Sequence, residues 1–119
     1  MQKLFRWFFD KPYLAIAWTV LILILCLMPK DQVPTGLGWD KLHHFGAFGV
    51  LAALWYWSSL KVWVVILGGV LYGVGIEIAQ GSMGVGRAFD WYDAVANSLG
   101  IIIAIPIAIW IRRWVGIST

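Results

Sequence analysis

Four long apolar stretches, separated by short segments rich in polar and turn-forming residues, dominate the pattern of the chain. Each stretch approaches the roughly 20 apolar residues that cross a bilayer core, and together they cover about residues 13–29, 41–58, 62–80 and 90–111. Residues 1–12 differ, because Lys3, Arg6 and Lys11 are interspersed with aromatic side chains. That mixture is typical of a short amphipathic segment lying on an anionic membrane face. The pattern predicts an all-α membrane protein: a single domain over residues 1–119, built as a four-helix transmembrane bundle.

Turn-forming residues mark the breaks between these stretches. Residues 29–39 contain two prolines and two glycines, which indicates a loop. Asp40 follows as a plausible N-cap for the second span. Residues 58–61 predict a tight turn, and the glycines of residues 81–89 predict a flexible connection. Pro106 lies inside the fourth stretch, where we expect it to kink the helix.

Composition supports a membrane protein and excludes several other classes. Hydrophobic residues make up 61% of the 119 residues and charged residues only 13%, so a water-soluble domain of this size could hardly cover its surface with polar groups. The formal charge of +3 comes mainly from residues near the ends of apolar stretches, and no basic run indicates nucleic-acid binding. Cys26 is the single cysteine, which excludes an intramolecular disulfide. We therefore expect membrane lipids as partners and no nucleic acid.

The distribution of basic residues predicts the orientation in the membrane. Four spans place both termini on one side, and Lys and Arg are enriched on the cytoplasmic side of membrane proteins. One side carries six of them, Lys3, Arg6, Lys11, Lys61, Arg112 and Arg113, and the other side carries three, Lys30, Lys41 and Arg87. The N- and C-termini are therefore predicted to be cytoplasmic. Most of the acidic residues then fall on the extracytoplasmic side.

Polar residues gather at three predicted helix ends on that extracytoplasmic side. Within residues 77–100 they recur at spacings of three and four, which places them on one helix face. On the fourth span the same face continues as a stripe of small residues, Gly100, Ala104 and Ala108, suited to close helix packing. We therefore expect the polar groups to point into the bundle and to form a binding site, with members Asp40, Lys41, His44, Glu77, Gln80, Arg87, Asp90, Asp93 and Asn97.

The order and spacing of these residues resemble a known family. The chain carries Asp40-Lys41-x-x-His44-Phe45, then Glu77-x-x-Gln80, then Arg87-x-x-Asp90-x-x-Asp93-x-x-x-Asn97-x-x-Gly100. This ordered set resembles the VanZ-like family of small bacterial membrane proteins. The resemblance implies a multi-pass protein of the bacterial inner (cytoplasmic) membrane. It also implies a link to low-level resistance to the glycopeptide teicoplanin, with which the family's namesake is associated.

The polar residues leave several functions open. One hypothesis is a pocket for an anionic or polar headgroup, of an envelope lipid or a lipid-linked glycan precursor, in which Lys41, His44 and Arg87 bind the anion. A second is a membrane-embedded hydrolase or transferase with His44 or Glu77 as general base, and with a divalent cation held by Asp90 and Asp93. A third is a purely structural salt-bridge network. A proton or ion relay ranks lowest, because four spans make a small body for alternating access. We expect no other cofactor.

Overall fold

Five helices make up the structure, a computed structural model that describes residues 2–27, 40–58, 60–82 and 91–116. Within these ranges all regular secondary structure is helical, which confirms the all-α prediction. The molecule measures 46 × 23 × 22 Å, and a bilayer with its headgroup layers is about 40–45 Å thick. The helices are α1 (Gln2–Phe9), α2 (Tyr13–Leu27), α3 (Asp40–Trp57), α4 (Val62–Ser82) and α5 (Trp91–Val115).

The helix bounds follow the apolar stretches with small shifts at their ends. α4 begins at the predicted residue and continues to Ser82, and α5 continues to Val115. Pro106 lies inside α5, and the helix continues through it. Most of the two longer predicted connections, residues 29–39 and 81–89, lies outside the described residues.

Length and hydropathy favour fewer membrane spans than the apolar pattern predicts. Within the described residues, α4 and α5 are each long and apolar enough to cross a membrane. α1 and α2 meet at an angle of 47° and would provide a third span if they cross as one bent unit. α3 has 18 residues, but its first turns carry the polar residues Asp40, Lys41, His43 and His44. The structure thus supports two or three spans, and the four-span bundle stays a prediction.

The closest helix pair is α3 with α5, and small residues allow it. A Cβ atom added to Gly100 would overlap the backbone carbonyl oxygen of Phe45. On the facing side, a Cβ atom added to Gly49 would lie 3.4 Å from the carbonyl oxygen of Gly100 and 3.5 Å from the Cβ atom of Ala104. The small-residue stripe predicted on this face is therefore confirmed as a packing surface. Any larger side chain at residue 100 would push the two backbones apart.

Hydrogen bonds from aromatic side chains attach α2 to its neighbours. The Tyr72 hydroxyl donates to the carbonyl oxygen of Thr19 at 2.6 Å, and the Trp55 indole donates to the Thr19 hydroxyl at 2.9 Å. The Trp18 indole donates to the carbonyl oxygen of Ala47 at 2.9 Å. In apolar surroundings these bonds satisfy polar groups that have no water to bind. Tyr72 therefore has a structural role, away from the predicted site.

The first and the last described segments lie at the same end of the molecule. The rings of Phe5 and Phe9 pack against Trp57, the last residue of α3, with centroids 5.2 and 4.8 Å apart. The Gln2 side-chain amide donates to the carbonyl oxygen of Gly116, just after α5, at 3.1 Å. We call this end, where α1 lies and α3 and α5 finish, the basic end. The opposite end, where α3 and α5 begin, is called the polar end.

Candidate functional site

Four of the predicted site residues come together at the polar end. His44 lies near the start of α3, Glu77 near the end of α4, and Asp93 and Asn97 in the first turns of α5. Ligand-type atoms of His44, Glu77 and Asp93 all lie within 4.8 Å of one another. Because these residues come from three helices, only the packing of the bundle brings them together. We call His44, Glu77, Asp93 and Asn97 the polar cluster.

A turn of apolar and small residues lies directly below the polar cluster. Phe48 follows His44 by four residues, and Gly73 precedes Glu77 by four, so each pair shares a helix face. A Cβ atom added to Gly73 would lie 3.1 Å from Asn97 Nδ2 and 3.2 Å from Phe48 Cε2. The absence of a side chain at Gly73 therefore makes room for the Asn97 amide. Gly69 and Gly73 have the GxxxG spacing that lets helix backbones approach closely.

The side chains of the polar cluster are largely shielded from solvent. Glu77 and Asn97 are 0% and 1% exposed, and the side chains of His44 and Asp93 are 11% and 13% exposed. His44 Nδ1 lies 2.9 Å from Asn97 Oδ1, and since this amide oxygen can only accept, Nδ1 carries the hydrogen. Asn97 Nδ2 is buried and has no hydrogen-bond partner among the described residues. The Asn97 amide thus orients the His44 imidazole through Oδ1, and its Nδ2 can still donate a hydrogen bond.

The other ring nitrogen of His44 faces a carboxylate across a wider gap. Nε2 lies 3.7 Å from Asp93 Oδ2, beyond the roughly 2.7–3.2 Å of an N–H···O hydrogen bond. With the hydrogen on Nδ1, a neutral ring would point the Nε2 lone pair at the Asp93 oxygen. A lone pair and a carboxylate oxygen that face each other repel, and a cation between the two atoms would remove that repulsion. The geometry therefore suits a positive charge at this point.

Gln80 shares its helix turn with Glu77 but contacts a different element. Its side-chain amide donates to the carbonyl oxygen of Cys26, near the end of α2, at 2.6 Å, and the residue is 2% exposed. This bond reaches a backbone carbonyl in the last turn of α2. Gln80 thus joins α2 to α4, and its predicted role in binding stays a prediction.

The remaining predicted site residues fall partly outside the described structure. Asp40 and Lys41 belong to the first turn of α3, but their side chains lie outside the described part. Arg87 and Asp90 also lie outside the described residues, so the metal pair Asp90 and Asp93 stays a prediction. His43 is exposed, in contrast to His44, as expected for neighbours on different faces of a helix.

Comparisons with known proteins support the family resemblance. A family model described as VanZ/LLP1 matches residues 3–112, which include the whole polar cluster. A relative from Schizosaccharomyces pombe (strain 972), described as an uncharacterized protein, is 32% identical over 101 residues, an alignment that covers 80% of this chain. The chain spans only 61% of the length of that relative. No solved structure matches the chain.

Proposed function

This chain belongs to the VanZ/LLP1 family, and we propose that it is a four-span membrane protein that binds the polar headgroup of an envelope lipid. The headgroup would be that of a phospholipid or of a lipid-linked glycan precursor, bound at the polar cluster. The apolar composition of α2, α4 and α5 supports a position in the membrane. We include α3 as a span because it packs closely along α5 and is apolar beyond its first turns.

We further propose that the polar end faces outward from a bacterial cytoplasmic membrane. The basic end contains Lys3, Arg6, Arg112 and Arg113, and positive residues favour the cytoplasmic side. The contact between Gln2 and Gly116 supports two termini on the same side. In this orientation the polar cluster lies at the level of the outer leaflet, where a headgroup would meet its more exposed members, His44 and Asp93.

The observation that carries the headgroup proposal is the burial of four polar side chains together in an otherwise apolar body. An ionisable residue within a span costs about 2.5–3.5 kcal/mol on insertion scales. Helix packing gains nothing from such a group, because apolar side chains of similar volume serve as well or better. The small residues of α5 already provide the close packing of the bundle. A polar cluster kept at this cost therefore favours a binding role.

The chemistry of the described groups fits a headgroup with more than one kind of polar group. Carboxylates such as those of Glu77 and Asp93 accept hydrogen bonds from hydroxyl or ammonium groups, and Asn97 Nδ2 can donate to an oxygen. Lys41 and Arg87 are predicted near the same helix ends and would bind a phosphate. An effect on teicoplanin susceptibility would follow if the bound lipid were a glycan precursor.

A second candidate function is a metal-dependent hydrolase or transferase acting on such a headgroup. The observation that favours it is the convergence of His44, Glu77 and Asp93 within 4.8 Å. One imidazole and two carboxylates are groups that bind catalytic cations and transfer protons. In this function Glu77 or His44 would act as the general base. Turnover of a phosphate-linked lipid that requires a divalent metal would distinguish this function from binding alone.

Native mass spectrometry of protein released from its own membranes tests the headgroup proposal. Asp93→Asn removes one charge from the polar cluster, and Asp10→Asn makes the same change at an exposed residue of the basic end. We expect one phosphate-bearing lipid per chain in the unaltered protein and in Asp10→Asn. Asp93→Asn should retain at least about tenfold less lipid, which corresponds to a loss of about 1.4 kcal/mol in binding free energy.

The unaltered protein decides the proposal even if the variant is unstable. A well-folded protein that carries no such lipid contradicts headgroup binding. Equal retention by Asp93→Asn would place the lipid elsewhere. Loss of folded protein in both Asp93→Asn and Glu77→Gln, with Asp10→Asn intact and no lipid on the unaltered protein, would favour the structural salt-bridge network.

A further inference from the structure

We propose that His44, Glu77 and Asp93 bind one divalent metal ion, with the His44 ring held in position by Asn97. The inference goes beyond headgroup binding, because the three side chains can bind an ion whatever else enters the site. It also differs from the metal pair expected from sequence, since it uses an imidazole and a carboxylate from two other helices. Three observations support it: the distances, the orientation of the imidazole and the burial of the Asn97 amide.

The distances between the three ligand-type groups match those around a single ion. Two ligands bound at about 2.0–2.6 Å cannot lie more than about 4.0–5.2 Å apart, and the three groups here lie within 4.8 Å. His44 Nε2 and Asp93 Oδ2 are 3.7 Å apart. Two ligands at about 2.1 Å from an ion are about 3.5 Å apart at a tetrahedral angle. Small rotations of the side chains would therefore complete the coordination.

The His44 ring is oriented as a metal ligand would be. Metal-binding histidines usually donate their second ring N–H to an oxygen, which fixes the tautomer and directs the other nitrogen to the ion. Here Nδ1 donates to Asn97 Oδ1 at 2.9 Å, and Nε2 faces Asp93. The same arrangement explains why Nε2 and the carboxylate face each other at a distance too long for a hydrogen bond. An ion between them binds both lone pairs.

The Asn97 amide provides an independent indication of a ligand. The residue is 1% exposed, and its Nδ2 has no hydrogen-bond partner among the described residues. A buried amide is costly unless its hydrogen bonds are made. Gly73 leaves room for this amide beside the polar cluster. Asn97 is therefore held next to the metal-binding groups, and an oxygen that entered with the ion, from water or a phosphate, would give its Nδ2 an acceptor.

The ligand types point to a class of metal. A site with one imidazole and two carboxylates suits Mn²⁺ or Zn²⁺ better than a site that has only oxygen ligands does. Three protein ligands leave at least one coordination position open, as in catalytic zinc sites. The His44 and Asp93 side chains are the more exposed members, so a further ligand would approach from their side. That ligand would be an oxygen of water or of a phosphate.

Titration of purified full-length protein with Mn²⁺ tests the site directly. We expect one Mn²⁺ per chain, with nitrogen coupling from one imidazole in its pulsed electron paramagnetic resonance spectrum. His44→Gln should abolish that coupling and His43→Gln should keep it, because His43 is the other histidine of the chain and is exposed. Asn97→Ala should weaken Mn²⁺ binding about 10- to 100-fold, the usual effect of losing a group that orients a ligand.

Several results would overturn the metal site. These are absence of stoichiometric Mn²⁺ binding to folded unaltered protein, bound Mn²⁺ without imidazole coupling, or coupling that survives in His44→Gln. If His44→Gln fails to fold, the spectra of the unaltered protein and His43→Gln still decide whether His44 is a ligand. The outcome is separate from headgroup binding, because Mn²⁺ binding is measured in detergent after the native lipids have been removed and their absence verified. If the protein retains its lipid after metals have been chelated, that result supports headgroup binding without a metal ion.

Discussion

The basic end and the polar end of the molecule both bury polar groups, but these groups contact different kinds of partners. At the basic end, Arg112 lies within 3.5 Å of the carbonyl oxygens of Tyr56 and Trp57, and the Trp57 indole donates to the carbonyl oxygen of Ala108. The Arg112 bonds reach carbonyl groups in the last turn of α3, and the Trp57 bond joins α3 to α5. At the polar end, His44 contacts the side chains of Asn97 and Asp93.

This difference separates groups that hold the fold from groups available for binding. A side chain that satisfies a helix-end carbonyl adds to stability and has little capacity left for a ligand. A side chain bonded to other side chains within a buried cluster costs desolvation energy and can exchange its partners for a ligand. Gln80 is the exception at the polar end, because it donates to the carbonyl oxygen of Cys26.

The largest effect on stability is expected at Gly100, because the contact of α3 with α5 there holds both ends of the molecule together. Gly100→Ala would place a methyl group against the Phe45 carbonyl. Relieving that overlap requires the backbone of α3 to move, which costs packing energy. We expect a loss of about 3 kcal/mol or more in the free energy of unfolding, with Mn²⁺ binding at the polar end and packing at the basic end lost together. Unfolding by denaturing detergent measures the change.

Gly46→Ala is the matched control for this substitution. Nothing lies within 4 Å of a Cβ atom added to Gly46, which is also in α3. Alanine there should be neutral or stabilising by up to about 1 kcal/mol, since glycine is the poorer helix former. Equal destabilisation by both substitutions would show that the α3–α5 contact does not set the effect.

A smaller effect is expected for Gln80→Leu, which tests whether Gln80 belongs to the fold or to the site. The change removes the hydrogen bond to the Cys26 carbonyl and should cost about 1.5 kcal/mol, the upper end of the usual net contribution of one hydrogen bond, because Gln80 is buried. Mn²⁺ affinity should stay within about twofold, because Gln80 contacts α2 and not the polar cluster. Thermal unfolding and Mn²⁺ titration provide the two measurements.

Gln2→Leu is the corresponding change at the basic end. Gln2 also donates to a carbonyl oxygen, that of Gly116, but both groups are exposed. We expect a change within about 0.5 kcal/mol, as for most surface substitutions. A Gln80→Leu protein of normal stability that has lost Mn²⁺ binding would assign Gln80 to the site.

Apart from the control substitutions, the smallest effect is expected at Arg112, and it should be confined to the basic end. Arg112→Ala removes two long hydrogen bonds, at 3.5 and 3.4 Å, and a contact with the face of the Tyr56 ring at 5.9 Å. We expect a cost of about 1 kcal/mol and unchanged Mn²⁺ binding. Arg113→Ala is the control, since Arg113 is exposed and should be near neutral. A drop in Mn²⁺ affinity in Arg112→Ala would show that the two ends are coupled.

Much of the helical architecture can be predicted from the apolar pattern. Long apolar runs can satisfy their backbone groups in a membrane only as helices or closed barrels, and the breaks between runs carry prolines, glycines and polar residues. The end of α4 was harder to predict, because Gly81 and Ser82 continue a helix that their propensities would end. Pro106 lies inside α5, and the kink expected there stays a prediction.

The members of the polar cluster were predictable as a set, but their individual partners were not. Spacings of three and four place Glu77 and Gln80 on one face of α4, and the sequence treats them alike. The rotation of α4 against α2 and α5 decides that Glu77 enters the cluster and Gln80 reaches Cys26. The pairing of His44 with Asn97 depends on the separation of α3 and α5, which Gly100 controls.

The sequence by itself determined the family, the helical class and the end at which polar residues gather, because these depend on composition and on spacing along one chain. Only the tertiary structure decided which of those polar residues face one another. Distances between residues 44, 77 and 93 depend on the rotation and contact of three separate helices, and no local pattern encodes that rotation. It is the packing at Gly73 and Gly100 that turns separate polar helix ends into one cluster.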